Sequence, residues 1–190
     1  MIGLMMLLAL GLYLAISAGV VAWTVRWAKR NGRGVWRWGI GAVFLMYLLV
    51  FWDHIPTLIL YKHYCATKAG FWVYKTPEQW KAENPGVAET LNRSNSKNFR
   101  NSDDSWGFDL NERFIWLHEI EKNPIFPVWI DYESIIDVKN KEKMVERINV
   151  GAGYEGGKQL YRFWTYINAY TPNQKQFESY ITNFGNLGGK

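Results

Sequence analysis

The sequence has a single cysteine, Cys65, and only three histidines, His54, His63 and His118. One cysteine excludes an internal disulfide, a C-x-x-C redox pair and any multi-cysteine zinc site. His63 and Cys65 are two residues apart, so on a helix they point to different sides and form no dyad. No acidic residue precedes Asp53, and Met1–Val25 carries no charge of either sign. The glycine-rich stretch Gly151-Ala152-Gly153-Tyr154-Glu155-Gly156-Gly157 lacks the Gly-Lys-Ser/Thr ending of a phosphate-binding loop. Its G-x-G-x-x-G spacing follows a strand pattern with no parallel βαβ context, so no nucleotide cofactor is expected. No Ser-His-Asp arrangement has recognisable local context. The sequence therefore predicts no cofactor, no metal site and no catalytic constellation.

The positive charge is concentrated. Arg26, Lys29, Arg30, Arg33 and Arg37 lie within twelve residues with no acidic neighbour, while the rest of the chain carries 17 basic and 17 acidic residues. A nucleic-acid-binding domain needs a basic stripe on its folded part, and the balanced remainder supplies none. A compact basic cluster between apolar stretches is instead the signal that holds a short loop on the cytoplasmic side of a membrane.

Two apolar stretches flank that cluster, and they predict a transmembrane hairpin over 1–61. The first helix is expected at about 2–25, the basic turn at 26–37 and the second helix at about 38–61. Twenty apolar residues span the roughly 30 Å hydrocarbon core, and Met1–Val25 meets that length. A cleaved signal peptide would carry its positive charges before the apolar run, and here they follow it. The second stretch has only 15 uncharged residues, Trp38–Trp52, before Asp53 and His54. It reaches spanning length only by continuing through Ile55–Tyr61. Trp23, Trp27, Trp36 and Trp38 bracket the basic turn as an interfacial aromatic belt does. This topology predicts an inner-membrane protein with both termini on the periplasmic side. Gly11, Ala15 and Gly19 repeat at four-residue spacing, which permits close helix approach. Two readings stay open for them: packing against the second helix of the same chain, or association with another copy or an envelope partner.

At the junction, Pro56 interrupts helical hydrogen bonding and Asp53 is placed to cap a helix restarting there, at about Ile55–Ala69. Asp53 and His54 are also candidates for a proton or ligand role, as ionisable groups near membrane depth.

Residues 62–190 predict a soluble α+β domain with an antiparallel meander sheet and flanking helices. Phe71–Lys75 reads as a strand. Thr76-Pro77-Glu78-Gln79 reads as a helix start with a capping box. Asn92–Ser105, rich in Asn, Ser and Asp, reads as an exposed loop. Phe114, Trp116, His118 and Ile120 alternate along one strand. Val128, Ile130, Tyr132, Ser134, Ile136 and Val138 alternate along the next, with Trp129, Asp131, Glu133 and Asp137 opposite. Met144–Val150 makes a third strand. Lys158–Ala169 and Gln174–Phe184 predict two closing helices, and Gly185–Lys190 is expected to fray. The combination of Cys65, Gly70 and Val73-Tyr74-Lys75-Thr76 resembles a motif of small proteobacterial envelope proteins without known function. The resemblance covers a short part of the chain and implies an envelope location and no catalytic residue.

Candidate binding residues are Asp53, His54, Trp72, Trp129, Asp131 and Glu133. The tryptophans are large enough to fill core or to form a recognition surface. Two main classes of function remain, beside a small transporter or proton-linked subunit that would use Asp53. One is a membrane-anchored, non-enzymatic binding or accessory protein, its partners the lipid bilayer and another envelope protein. The alternative is an envelope enzyme acting on glycan or peptide. That reading requires Glu119 and Asp131, with Glu121 and Glu133 nearby, to face each other as a carboxylate pair. His118 is expected to be a satisfied core histidine.

Overall fold

The computed structural model describes residues 2–92, 98–102, 104–154 and 162–188. The chain divides into two compact units, Met1–Ile55 and Pro56–Lys190.

In the first unit, helix α1 runs from Ile2 to Arg30 and helix α2 from Val35 to Phe51. The basic cluster is therefore mostly helical: Arg26, Lys29 and Arg30 extend α1, Arg37 lies in α2, and only 31–34 form the connection. Gly32 turns the chain with φ of 64°, a conformation that costs other residues steric strain. The helices pack side by side. The Tyr13 hydroxyl donates to the Met46 carbonyl. Trp27 meets Trp38 edge to face at 5.2 Å, and the Arg33 guanidinium lies over both rings. Gly11, Ala15 and Gly19 take no part in this packing. All three are exposed, and a Cβ at Gly11 or Gly19 would meet nothing within 4 Å. Gly39 provides a close approach instead, where an added Cβ would lie 3.3 Å from Val25.

By length and composition α1 can cross a membrane. The second stretch is not one helix over 38–61. It breaks at Trp52–Asp53, and helix α3 begins at His54 and runs to Thr67. At 17 residues α2 spans about 26 Å.

In the second unit, seven strands form one antiparallel sheet among the described residues. They are β1 (Gly70–Val73), β2 (Asn98–Ser102), β3 (Ser105–Asp109), β4 (Phe114–Lys122), β5 (Val128–Asp137), β6 (Glu142–Ala152) and β7 (Ile167–Tyr170). The run β2 to β6 is a meander, and β1 and β7 both pair with β6. Helices α4 (Pro77–Glu83) and α5 (Gln174–Gly185) complete the unit. The α+β class and meander expected from the sequence are present. Helix α4 starts with the anticipated box: the Thr76 hydroxyl accepts from Gln79 N–H, and the Gln79 side chain accepts from Thr76 N–H.

Three local expectations fail. The polar stretch 92–105 contains β2 and the start of β3 rather than a continuous loop. The predicted helix 158–169 begins outside the described residues. Where it is described, it is a 3-10 turn, Phe163–Thr165, followed by β7. Of the end expected to fray, 185–190, residues 189 and 190 lie outside the described residues, and 185–188 are packed. Leu187 is buried in the core, and Gly188 sits so close to Leu91 that an added Cβ would lie 2.1 Å from its carbonyl oxygen.

The sheet has two covered faces. On one, Phe114, Ile135, Met144 and Val145 pack under Trp80 of α4 and under Phe177 and Phe184 of α5. A bulge opposite Ile135–Ile136 makes Met144 the extra residue of β6, and both Met144 and Val145 are fully buried. On the other face, Val128, Ile130, Val150 and Ala152 pack against Leu60, Tyr61 and Tyr64 of α3. The Asn111 side chain ties β4 to α5: its carbonyl accepts from Arg113 and Phe114 N–H, and its amide donates to the Phe184 carbonyl.

Candidate functional site

Strand alternation and register place a polar row on the face that α5 partly covers. His118 of β4 pairs with Glu133 of β5, and Glu133 pairs with Arg147 of β6. Two residues along, Asp131 pairs with Asn149. Even spacing keeps Asp131 and Glu133 on one face with His118, Arg147 and Asn149. Burying so many polar groups requires that they satisfy one another. Glu133, 3% exposed, is the hub. Its Oε1 accepts from Arg147 Nη2 at 2.7 Å and from the Asn149 amide, and its Oε2 accepts from the Trp116 indole at 3.2 Å. His118 Nδ1 lies 3.3 Å from Asp131 Oδ1, and the Asn149 amide reaches Asp131 Oδ2 at 3.5 Å.

Aromatic rings hold the row in place. The His118 imidazole stacks on Trp106 at 5.1 Å with an interplanar angle of 7°, and Trp116 lies 4.6 Å away. The Arg147 guanidinium sits 4.4 Å from the Phe177 ring centroid, a desolvated cation–π contact. Three buried atoms of the row have no partner among the described residues: Arg147 Nε and Nη1, and Asn149 Oδ1. His118, Asp131 and Glu133 each offer a ligand atom, all within 4.8 Å of one another. The sequence predicts no such set.

A second buried network has a structural role. Asp137, fully buried, accepts from Arg113 Nε at 2.6 Å and from the Trp80 indole at 3.0 Å. Burial pushes its carboxyl upward, but Arg113, Trp80 and the backbone of Asn140 outweigh it and hold the carboxyl below its ordinary range.

The predicted residues disperse. Asp131 and Glu133 join the row. Trp129 shares their face, but its ring covers Gly151, where an added Cβ would lie 2.2 Å from it. Trp72 is on edge strand β1 opposite Glu146, on the other face, with its ring over Gly70. Asp53 and His54 belong to the first unit. There Asp53 is fully buried and His54 Nδ1 lies 2.7 Å from the Tyr47 hydroxyl. The carboxylate pair expected of a glycosidase does not form. Glu119 pairs with Tyr132 and Glu121 with Ile130, so both point away from Asp131 and Glu133. Glu121 instead accepts from the Tyr132 hydroxyl at 2.8 Å. His118 is buried as expected, but in a polar row rather than a purely apolar core.

The residues missed in sequence are Trp106, Arg147 and Asn149. Arg147 and Asn149 do alternate with apolar residues along β6, and that period was the available signal. Comparison of the chain with protein-family models, curated proteins and solved structures gives no match.

Proposed function

We propose that this chain is a membrane-anchored, non-enzymatic binding or accessory protein of a bacterial envelope. Its first unit is read as a transmembrane hairpin with the connection 31–34 on the cytoplasmic side. Its second unit is read as the periplasmic recognition domain. The observation that carries the reading is the surface of α1 and α2. Leu4, Leu7, Leu8, Leu12, Leu45 and Leu49 are all exposed, on helices without an acidic residue. Water penalises that surface at roughly 25 cal/mol per Å², and hydrocarbon does not. The five basic residues of 26–37 supply the orientation signal. The resemblance around Cys65 and Val73-Tyr74-Lys75-Thr76 agrees with an envelope setting.

Alkaline carbonate extraction of membranes tests the anchoring. The protein is expected in the pellet, with an intact mass that still includes Met1–Arg30. Recovery in the soluble fraction, or a mature form starting after α1, refutes the two-helix anchor.

A further inference from the structure

We propose that His118, Asp131 and Glu133 bind one divalent transition-metal ion, and that zinc suits the donor set best. The inference goes beyond the anchored-binding reading and does not depend on it.

The donors come from adjacent strands of a packed sheet, which fixes them better than a loop does. One imidazole with two carboxylates suits zinc and its neighbours, whereas calcium and magnesium prefer all-oxygen shells. The 3.3 Å from His118 Nδ1 to Asp131 Oδ1 matches the edge of a tetrahedron with bonds of 2.0–2.1 Å, about 3.3 Å. The stack on Trp106 sets the plane of the imidazole. Glu133 is oriented by the Trp116 indole, the kind of outer contact that aims a ligating carboxylate. Each carboxylate oxygen has two lone pairs, so Glu133 Oε2 can keep the indole and still face an ion.

An independent sign of a ligand comes from Asn149. The residue is 2% exposed, its amide nitrogen lies against both carboxylates, and its amide oxygen has no partner among the described residues. A half-turn of the amide exchanges the two ends. With a cation between the carboxylates, that turn aims the oxygen at the ion, and the amide N–H groups take the place where the oxygen now has no partner. Arg147 opposes binding, because its charge already offsets that of Glu133. Asp131 and Glu133 set against Arg147 leave one net negative charge, so the ion competes with an existing pair. Weakening that pair is expected to tighten the site.

The test uses the full chain in detergent, first stripped with a chelator. Titration with Zn²⁺ by calorimetry is expected to give one ion per chain. Co²⁺ is expected to give visible d–d absorption that Zn²⁺ displaces. His118→Gln and Asp131→Asn should each weaken binding about tenfold or more, while Arg147→Gln strengthens it. His54→Gln and His63→Gln should leave it unchanged. X-ray absorption of the zinc-loaded wild type covers the case in which the row variants fail to fold. One imidazole in an otherwise oxygen shell supports the assignment; no imidazole, or two, overturns it. Absence of both the heat and the d–d bands also overturns it, as does binding undiminished in folded His118→Gln and Asp131→Asn.

Discussion

Replacing Asp137 is expected to uncouple the sheet from α4. The carboxylate receives Arg113 Nε, the Trp80 indole, and the backbone N–H groups of Lys139 and Asn140. Trp80 is fully buried and Arg113 is nearly so, so Asp137→Ala leaves a buried cation and an indole N–H without their acceptor. Breaking one side of a buried ion pair costs about 3–5 kcal/mol. For a chain of this length that lowers the melting temperature by about 6–20 °C. Asp137→Asn keeps the shape and one acceptor but loses the charge, and about 1–3 kcal/mol is expected. The pH dependence carries a sign. The folded carboxyl titrates below its unfolded value of about 3.9, so its contribution is complete above that value. It fades as the pH falls through the lower folded value. The gap between wild type and Asp137→Asn should therefore be full at pH 7 and narrow below about pH 4. Near-UV circular dichroism melts of the full chain in detergent measure both quantities. A neutral-pH gap under about 1 °C, or one that stays constant down to pH 2–3, refutes the reasoning.

Other substitutions probe the packing. Gly188→Ala adds a Cβ 2.1 Å from the Leu91 carbonyl oxygen at φ of 116°, and several kcal/mol of destabilisation are expected in a chemical-denaturation curve. Gly151→Ala must push the Trp129 ring aside; a loss of about 1–3 kcal/mol is expected, with a red shift in tryptophan emission that Trp129→Phe abolishes. Phe177→Ala removes a fully buried ring and the platform of Arg147, at about 3–5 kcal/mol by the same curve. Tyr132, partly buried and donating to Glu121, is pushed up to about 12. Tyr132→Phe should therefore remove a late-titrating component from the ultraviolet absorbance titration.

Much of the fold is written in local pattern. The capping box at Thr76 and the alternation along β4 and β5 each follow from a few neighbouring residues, and the structure reproduces them. Strand β2 was hidden because Asn98–Ser102 is almost wholly polar, as an edge strand can be. The segment 162–169 misled because short aromatic-rich runs fit helix and strand periods alike. Leu187 shows why the stretch 185–188 holds: one apolar side chain in the core anchors it. Only half of the polar row was legible. Alternation put Asp131 and Glu133 on one face, but register decides what stands opposite them. A slip of one residue would have set Glu119 beside Asp131 instead of His118 beside Glu133. The turns between strands fix that choice, and residue composition does not.

The anchor reading is tested most directly by thiol accessibility in intact cells. In a Cys65→Ser background, single cysteines replace Asn31 in the α1–α2 connection and Asn186 beyond α5. A membrane-impermeant maleimide that passes the outer membrane is expected to label position 186 in intact cells, and position 31 only after the inner membrane is opened. Equal labelling of both positions, or the reverse pattern, contradicts the topology.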